Sequence, residues 1–419
     1  MVTKSKSIYV AVAAVLVLVP LVLFLHTFSP SPLPMPKPFA GPIPSATPPK
    51  EIAVYSLVAG VNHRVAAFGY RGGSLFTRRE FSMAGALVKH PKGDLLIDTG
   101  FGRNIDQQFR TLPFTVRAIT FYSLWRPAVD QLGDIGYDPK SLRAILLTHS
   151  HWDHVSGLPD FPGVPVWVTP QEHEFIRKSG DMDFCRLFTG IRYEEYGFEG
   201  GPYLGFPASH DVYGDGSIVV VPAFGHTPGS VITFVTLHNG TRYAFVGDVV
   251  WQLEGITERE ERPWITRRRA DTDAEANREN IIRIVALKER LPELIIVPAH
   301  DMRAFAQMPK LAQDYMGRNG ESRVAKAAIF SAVPPLMVKT AGNPNGLPKQ
   351  VFGDLQAQLA ASRSNFYYDL AAGPFYGYNR PGAKPSEAVM WNWWRQGMMA
   401  PRHTMTTSLP FLKPTSRKI

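Results

Sequence analysis

Residues 148–157 read THSHWDHVSG, and His149, His151, Asp153 and His154 place three imidazoles and a carboxylate within six positions. The apolar run just before them, Ala144 to Leu147, predicts a buried strand. A strand that delivers such a cluster at its C-terminal end has the pattern of a metal loop, because imidazole nitrogen and carboxylate oxygen suit zinc and similar borderline cations. A surface loop rich in histidine by accident fits poorly, since the whole 419-residue chain holds only 12 histidines.

The same arrangement recurs along the chain. Ile218 to Val221 leads into PAFGHTPGS with His226, and Tyr243 to Val246 leads into GDVVW with Asp248. A helix expected over Ala274 to Glu289 precedes Leu294 to Val297, which leads into PAHD with His300. Upstream, Leu95 to Ile97 ends on Asp98, with Thr99-Gly100 as the turn. Any one of these residues alone reads as structural. Together they read as one constellation, because strand ends on one rim of a sheet converge in space. Further strands are expected at Ile52 to Ala59, Ala84 to Lys89 and Val164 to Val168, and a helix at Pro170 to Lys178. The stretch 100–137 is rich in aromatics and reads as loop and helix forming a lid or cover, and 181–210, rich in Gly, Tyr and Phe without clear periodicity, reads as a loop covering a substrate.

On LLTHSHWDHVSG, GHTPGS, FVGD, PAHD and LLIDTG, residues 51–312 resemble the metallo-β-lactamase superfamily. The resemblance implies an α+β fold, a four-layer αββα sandwich, with a site for two Zn2+ ions or similar divalent metals. It implies that His149, His151 and His226 hold one metal, that Asp153, His154 and His300 hold the other, and that Asp248 bridges them. Asp98 would support the metal loop from behind, and Asp153 would also handle a proton as the catalytic residue. Two dications about 3.5–4 Å apart would lower the pKa of a shared water and polarise a substrate oxygen.

Within the superfamily, the di-iron redox members carry Glu where this chain has His151, which favours hydrolysis. The β-lactamases use a Cys ligand or lack the bridging Asp, whereas here Asp248 is present and Cys185 lies in an irregular loop. The tail of glyoxalase II has no counterpart, and acyl-homoserine lactonases carry a Tyr where Trp251 stands. Hydrolysis of a small carboxylic ester or lactone is the expected activity. The alternatives are a glyoxalase II-like thioesterase, a phosphodiesterase, or a catalytically idle metal-binding module.

The formal charge is +9, but the densest basic run, Arg267 to Arg269, sits among Glu258, Glu260, Glu261, Asp271 and Asp273. It reads as a solvated mixed face, and no nucleic-acid partner is expected. With Cys185 as the only cysteine, no disulfide can form within the chain. At the N-terminus, Lys4 and Lys6 precede the uncharged run Ile8 to Phe28. The run predicts a transmembrane signal anchor over residues 1–28, with the catalytic domain outside the cytoplasm. Residues 29–50 are so rich in proline that an extended spacer is expected, holding that domain off the membrane.

Residues 313–419 change character. RVAKAAIFSAVPPLMVKT (323–340), FYYDLAAGPFYGYNRPGAKPSE (366–387) and NWWRQGMM (392–399) resemble part of the cofactor-free haloperoxidases and arylesterases of the α/β-hydrolase fold. The resemblance implies one core strand and cap-like helices. No G-x-S-x-G nucleophile elbow occurs in the chain, so a fused fragment is expected and not a second active site. Trp391, Trp393 and Trp394 would form an exposed patch.

Overall fold

The computed structural model describes residues 16–311 apart from 17, 21 and 179–183, then 348–373 and scattered residues between 381 and 394. The chain divides into two compact units, Met1–Val324 and Ala325–Ile419.

The first unit holds two sheets. The larger orders its strands β4-β1-β2-β3-β5-β6-β7. They are β1 Ala53–Val65, β2 Arg78–Lys89, β3 Asp94–Ile97, β4 Phe121–Leu124, β5 Leu142–Leu146, β6 Val166–Val168 and β7 Tyr193–Glu195. The smaller sheet, ordered β12-β11-β10-β9-β8, contains β8 His210–Asp211, β9 Ile218–Pro222, β10 Val231–Thr236, β11 Arg242–Gly247 and β12 Ile295–Pro298.

Alternate side chains on these strands enter different cores, because successive strand residues face opposite ways. In β9, β10 and β11, Val220, Val235 and Phe245 meet Val88, Leu95 and Ala144 of the first sheet between the sheets. Their neighbours Val221, Phe234 and Ala244 turn outward onto Ile281, Ile284 and Leu287. On the far side of the first sheet, Leu57, Leu96 and Ile145 pack with Val129, Leu132 and Ile176. The outer layers are helices: α1 Ala128–Asp134, the short α2 Trp152–Val155, α3 Pro170–Lys178, α4 Trp264–Ala270, α5 Ala274–Arg290 and α6 Met302–Gln307. Three cores between four layers make an αββα sandwich, and strands covered on both faces read as unbroken apolar runs. Asp273 caps α5 by accepting from Glu275 N and Ala276 N, both at 3.0 Å.

Several elements run past the expected ones. β1 and β2 stay paired beyond Ala59, with Asn62 facing Phe81 and Arg64 facing Arg79. The polar residues there hide the strand period, so the sequence reading stops short. β4, inside the stretch read as loop and helix, pairs with β1 at Gly60 to His63, and the fully buried β10 is a strand that the sequence reading did not place.

The proline-rich stretch is extended, but it lies along the domain and does not stand off as a spacer. Ser31 N donates to Glu260 Oε1 at 2.8 Å, Leu33 N to Arg259 O at 2.7 Å, and Thr47 N to Asp215 O at 2.7 Å. Leu33 is buried with the outer core of the second sheet, and Phe39 packs against it. These contacts satisfy polar groups and cover apolar ones, which proline-induced extension alone does not predict. Before the stretch, the described residues of 16–26 are helical and exposed. Among the described residues no helix is long and apolar enough to cross a membrane, and residues 8–15 of the expected span lie outside them.

In the second unit, α7 Lys349–Ala361 and α8 Arg363–Ala372 meet at Ser362, whose hydroxyl caps α8 by accepting from Asn365 N. The ring of Trp391 lies 5.5 Å from that of Tyr368, and Trp394 Nε1 donates to Ser364 Oγ at 3.0 Å. The expected core strand within 323–340 and Trp393 lie outside the described residues.

Candidate metal centre

All seven expected ligands come together. His149, His151, His226 and Asp248 form one group of potential metal donors, and Asp153, His154 and His300 form another, with donor atoms within 4.8 Å of one another in each. The first four loop residues follow β5, His226 follows β9, Asp248 follows β11 and His300 follows β12. Asp248 sits between the groups: Oδ1 is 3.3 Å from His154 Nε2 and 3.1 Å from His300 Nε2, and Oδ2 is 3.3 Å from His226 Nε2.

The outer ring nitrogens show why these imidazoles present their inner ones. His154 Nδ1 bonds Asp98 Oδ2 at 2.8 Å, His226 Nδ1 bonds Asp271 Oδ1 at 2.8 Å, and His300 Nδ1 bonds the Ser82 carbonyl at 2.8 Å. His149 Nδ1 lies 3.1 Å from Thr148 Oγ1. With the outer nitrogen held by an acceptor, the inner nitrogen faces the centre, which is the arrangement a metal ligand needs. His149 Nε2, His154 Nε2 and Asp248 Oδ1 are buried and make no aligned hydrogen bond, although Asp248 Oδ1 lies close to two of the imidazoles. Orphaned donors and acceptors of this kind are costly unless something binds them, and this donor set fits divalent ions.

Burial pushes His149 and His151 well below the usual histidine range, so both are held neutral. Burial also opposes charge on His154, but Asp98 and Asp248 together outweigh it and move it well above that range. At Asp248, burial is outweighed by His300, His154 and His149, and the carboxyl is held well below its ordinary value.

Three carboxylates hold the loops. Asp98, at φ 51, accepts from Thr148 N and Thr148 Oγ1, both at 2.7 Å, as well as from His154. Glu172 on α3 accepts from Ser150 N and Oγ at 2.7 Å, Thr227 Oγ1 at 2.6 Å and Gly229 N at 3.1 Å. It thereby ties the β5 loop to the β9 loop. Asp271 backs His226 and is paired with the buried Arg262, which reaches the Asp248 carbonyl. The glycines of GHTPGS are there for space: a Cβ on Gly225 (φ 139) would lie 2.4 Å from Asn277 N, and one on Gly229 would lie 2.2 Å from Glu172 N.

Above this floor is a cavity of about 270 Å3, close to the lower end of small-molecule sites at roughly 300–1,000 Å3. His151, Asp153, His226, Asp248 and His300 line its base, while Phe68, Phe81, Val116, Ile119 and Ile265 line its walls. Arg64 is set into one wall, its guanidinium donating to Ile119 O at 3.1 Å and Thr120 Oγ1 at 3.0 Å.

The metallo-β-lactamase superfamily profile matches residues 84–300, which contain all seven donors. The chain belongs to that superfamily. A "probable metallo-hydrolase" of Mycobacterium tuberculosis is 30% identical over 240 residues, covering 51% of this chain and 73% of that protein. An N-acyl homoserine lactonase of Agrobacterium fabrum is 25% identical over 243 residues, covering 55% of this chain and 85% of that protein. A solved N-acyl homoserine lactone hydrolase superposes with a TM-score of 0.51 at 17% identity, covering 62% of this chain and 98% of that one; it shares the fold. Separately, 85 residues are 67% identical to a bifunctional esterase/perhydrolase of Acinetobacter calcoaceticus. They span 20% of this chain and 31% of that protein.

As a member of the superfamily, the chain departs from the sequence reading at three places. Glu260, Glu261, Arg262 and the Asp271 side chain are buried, so the mixed face is solvated only in part, at Glu258, Arg268, Arg269 and Asp273. Pairing makes that burial tolerable: Arg262 with Asp271, Glu261 with Arg267 and Arg278, and Glu260 with Ser31 N. Helix α4, in the same stretch, gives the pocket Ile265, Thr266, Arg269 and Ala270. The described residues of 184–210 do not line the pocket; Phe184 and Cys185 fill the first outer core, and Tyr203 and Phe206 the second. The stretch 100–137 does reach the pocket, through Val116, Ile119 and Thr120. Glu172, Asp271 and the Ser82 carbonyl carried no sequence signal, since a lone acid on a helix or a strand carbonyl looks like any other.

Proposed function

We propose that the chain is a dinuclear metallohydrolase that cleaves a small carboxylic ester or lactone, with zinc as its metal. The supporting observation is the placement of Asp248 between two groups of inward-facing donors at the base of an apolar pocket. His149, His151 and His226 would hold one ion, Asp153, His154 and His300 the other, and Asp248 would contact both. Two such ions supply an acidified water and a Lewis-acidic contact for the substrate oxygen.

The remaining work falls to the chain's own groups. Asp153 borders the pocket and lies 3.5 Å from His300 Nε2, placed to orient the nucleophile and pass a proton to the leaving oxygen. Trp251 Nε1 donates to Asp248 Oδ2 at 2.7 Å, so the indole orients that carboxylate and is not a donor to substrate. Apolar walls exclude bulk water and strengthen the electrostatics at the floor. The lactonase relative from Agrobacterium fabrum favours the ester and lactone class. A phosphodiester is the second reading, favoured by Arg64 and Arg269 in the pocket wall.

The domain is further proposed to be membrane-anchored and outside the cytoplasm, from Lys4 and Lys6 ahead of the uncharged run to Phe28. The test is metal analysis of the full chain coupled to a panel of lactones, aryl esters, thioesters and phosphodiesters. Two bound divalent ions with turnover of lactones or aryl esters is the expected result. Two ions with no turnover of any panel member would overturn it in favour of an idle metal-binding module.

A further inference from the structure

Between residues 51 and 311, nine large apolar side chains among the described residues are exposed. Eight of them, Leu75, Phe76, Phe114, Ile119, Phe121, Leu124, Trp125 and Trp264, fall in three short segments. Each of these three segments also gives the pocket part of its wall. The first, after β1, turns Phe68 inward and leaves Phe76 94% exposed. The second turns Val116 inward and leaves Phe114 74% exposed. The third, α4, turns Ile265 inward and leaves Trp264 53% exposed. A surface this one-sided marks an interaction site and not scattered exposure.

We propose that this mouth docks on the surface of a lipid bilayer and that the substrate is an amphiphile that enters the pocket from the lipid. The second half rests on the hydrolase reading above; the first does not. Continuity selects the bilayer as the occupant. The uncharged run Ile8 to Phe28 ends with the Phe28 ring set edge-on to Phe68 at 5.9 Å, and Phe68 is itself a pocket wall. Phe24 meets Phe28 edge-on at 5.4 Å, so the exposed apolar residues Leu16, Leu18, Val22, Leu23 and Leu25 leave the domain at the rim of the mouth. A chain entering lipid at that point brings Phe76, Phe114 and Trp264 to the same surface.

Charge points the same way. Arg117, Arg268 and Arg269 stand exposed in the second and third segments, and the Arg268 guanidinium lies 5.4 Å from the Trp264 ring centroid. Tryptophan beside arginine suits the headgroup level, where the ring meets acyl chains and the cation meets anionic phosphate.

The test uses the full chain reconstituted in vesicles of phosphatidylcholine and phosphatidylglycerol. Spin labels are placed at Phe76→Cys, Phe114→Cys, Trp264→Cys and, as control, Asn239→Cys. Asn239 lies in the β10–β11 turn, at the end of β11 away from Asp248. We expect collision with an aqueous nickel chelate to fall by about fivefold at the three mouth positions and collision with oxygen to rise, because those labels reach the acyl boundary. The label at 239 should do neither. Mouth labels that behave like the control overturn the proposal. Labels shielded from both nickel and oxygen overturn it too, since protein would then cover the mouth.

Delivery is read separately with Phe76→Glu/Phe114→Glu, neither residue lining the pocket. KM for a long-chain ester in vesicles should rise about tenfold, while kcat/KM for a water-soluble short-chain ester stays within about twofold. Equal change for both substrates overturns delivery from lipid. An enzyme inactive on every ester defeats the hydrolase reading but leaves the labelling result standing.

Discussion

At the floor of the pocket His149, His154, His226 and His300 are buried, and each is aimed by a second group: Thr148, Asp98, Asp271 and the Ser82 carbonyl. At its mouth Phe76, Phe114, Phe121 and Trp264 stand largely in solvent on short segments. The floor is over-determined, since an ion-binding set tolerates little displacement and each ligand is held from behind. The mouth needs apolar bulk and position, not exact geometry. Reaction class is therefore set by residues that cannot move, and access by residues that can be exchanged.

The contrast predicts a graded series. Removing divalent metal with a chelator should reduce ester hydrolysis to background, and zinc should restore it; activity that survives chelation would break the floor's role outright. Asp153→Asn, assayed with metal in excess and metal content checked, should lower kcat by about 10²–10⁴ while the circular dichroism spectrum is unchanged. One step back, Asp98→Asn and Asp271→Asn should each weaken metal affinity by about 10–100-fold, measured by chelator competition. Unaltered affinity in both would show that the backing groups are dispensable.

Glu172→Gln removes a carboxylate that accepts four hydrogen bonds at a buried position. It should cost about 1–3 kcal/mol of stability by thermal denaturation, because at least one donor loses its acceptor. Smallest of all, Phe114→Ser at the mouth should leave turnover of a water-soluble ester within about twofold, as exposed substitutions usually do. A large loss there would mean that the mouth shapes the floor.

What could be read in advance follows the same division. Strands buried on both faces appear as apolar runs, and each ligand sits just past one of them, so His149, His226, Asp248 and His300 could be tied together from spacing alone. Burial of charge could not be foreseen: Arg262 and Asp271 look like surface residues until their partners across the fold are known. The continuation of β1 at Asn62 to Arg64 escaped because its polar side chains interrupt the strand period. β10 escaped although all its residues are buried, its two threonines included. The walls from 116–120 and 264–270 carry no code, since an apolar residue facing a pocket and one facing a core are the same letter.

The proline-rich strap has a consequence for how the chain matures. Ser31 bonds to Glu260, 229 positions later. At a synthesis rate of roughly 5–20 residues per second, Ser31 therefore waits about 10–50 s on the ribosome before its partner exists. Through that interval the strap is unclamped, and a chaperone or protease that reads extended proline-rich chain has its access then. Arg259 and Glu260 follow β11 but precede β12, so the strap's partners exist before the second sheet has its last strand.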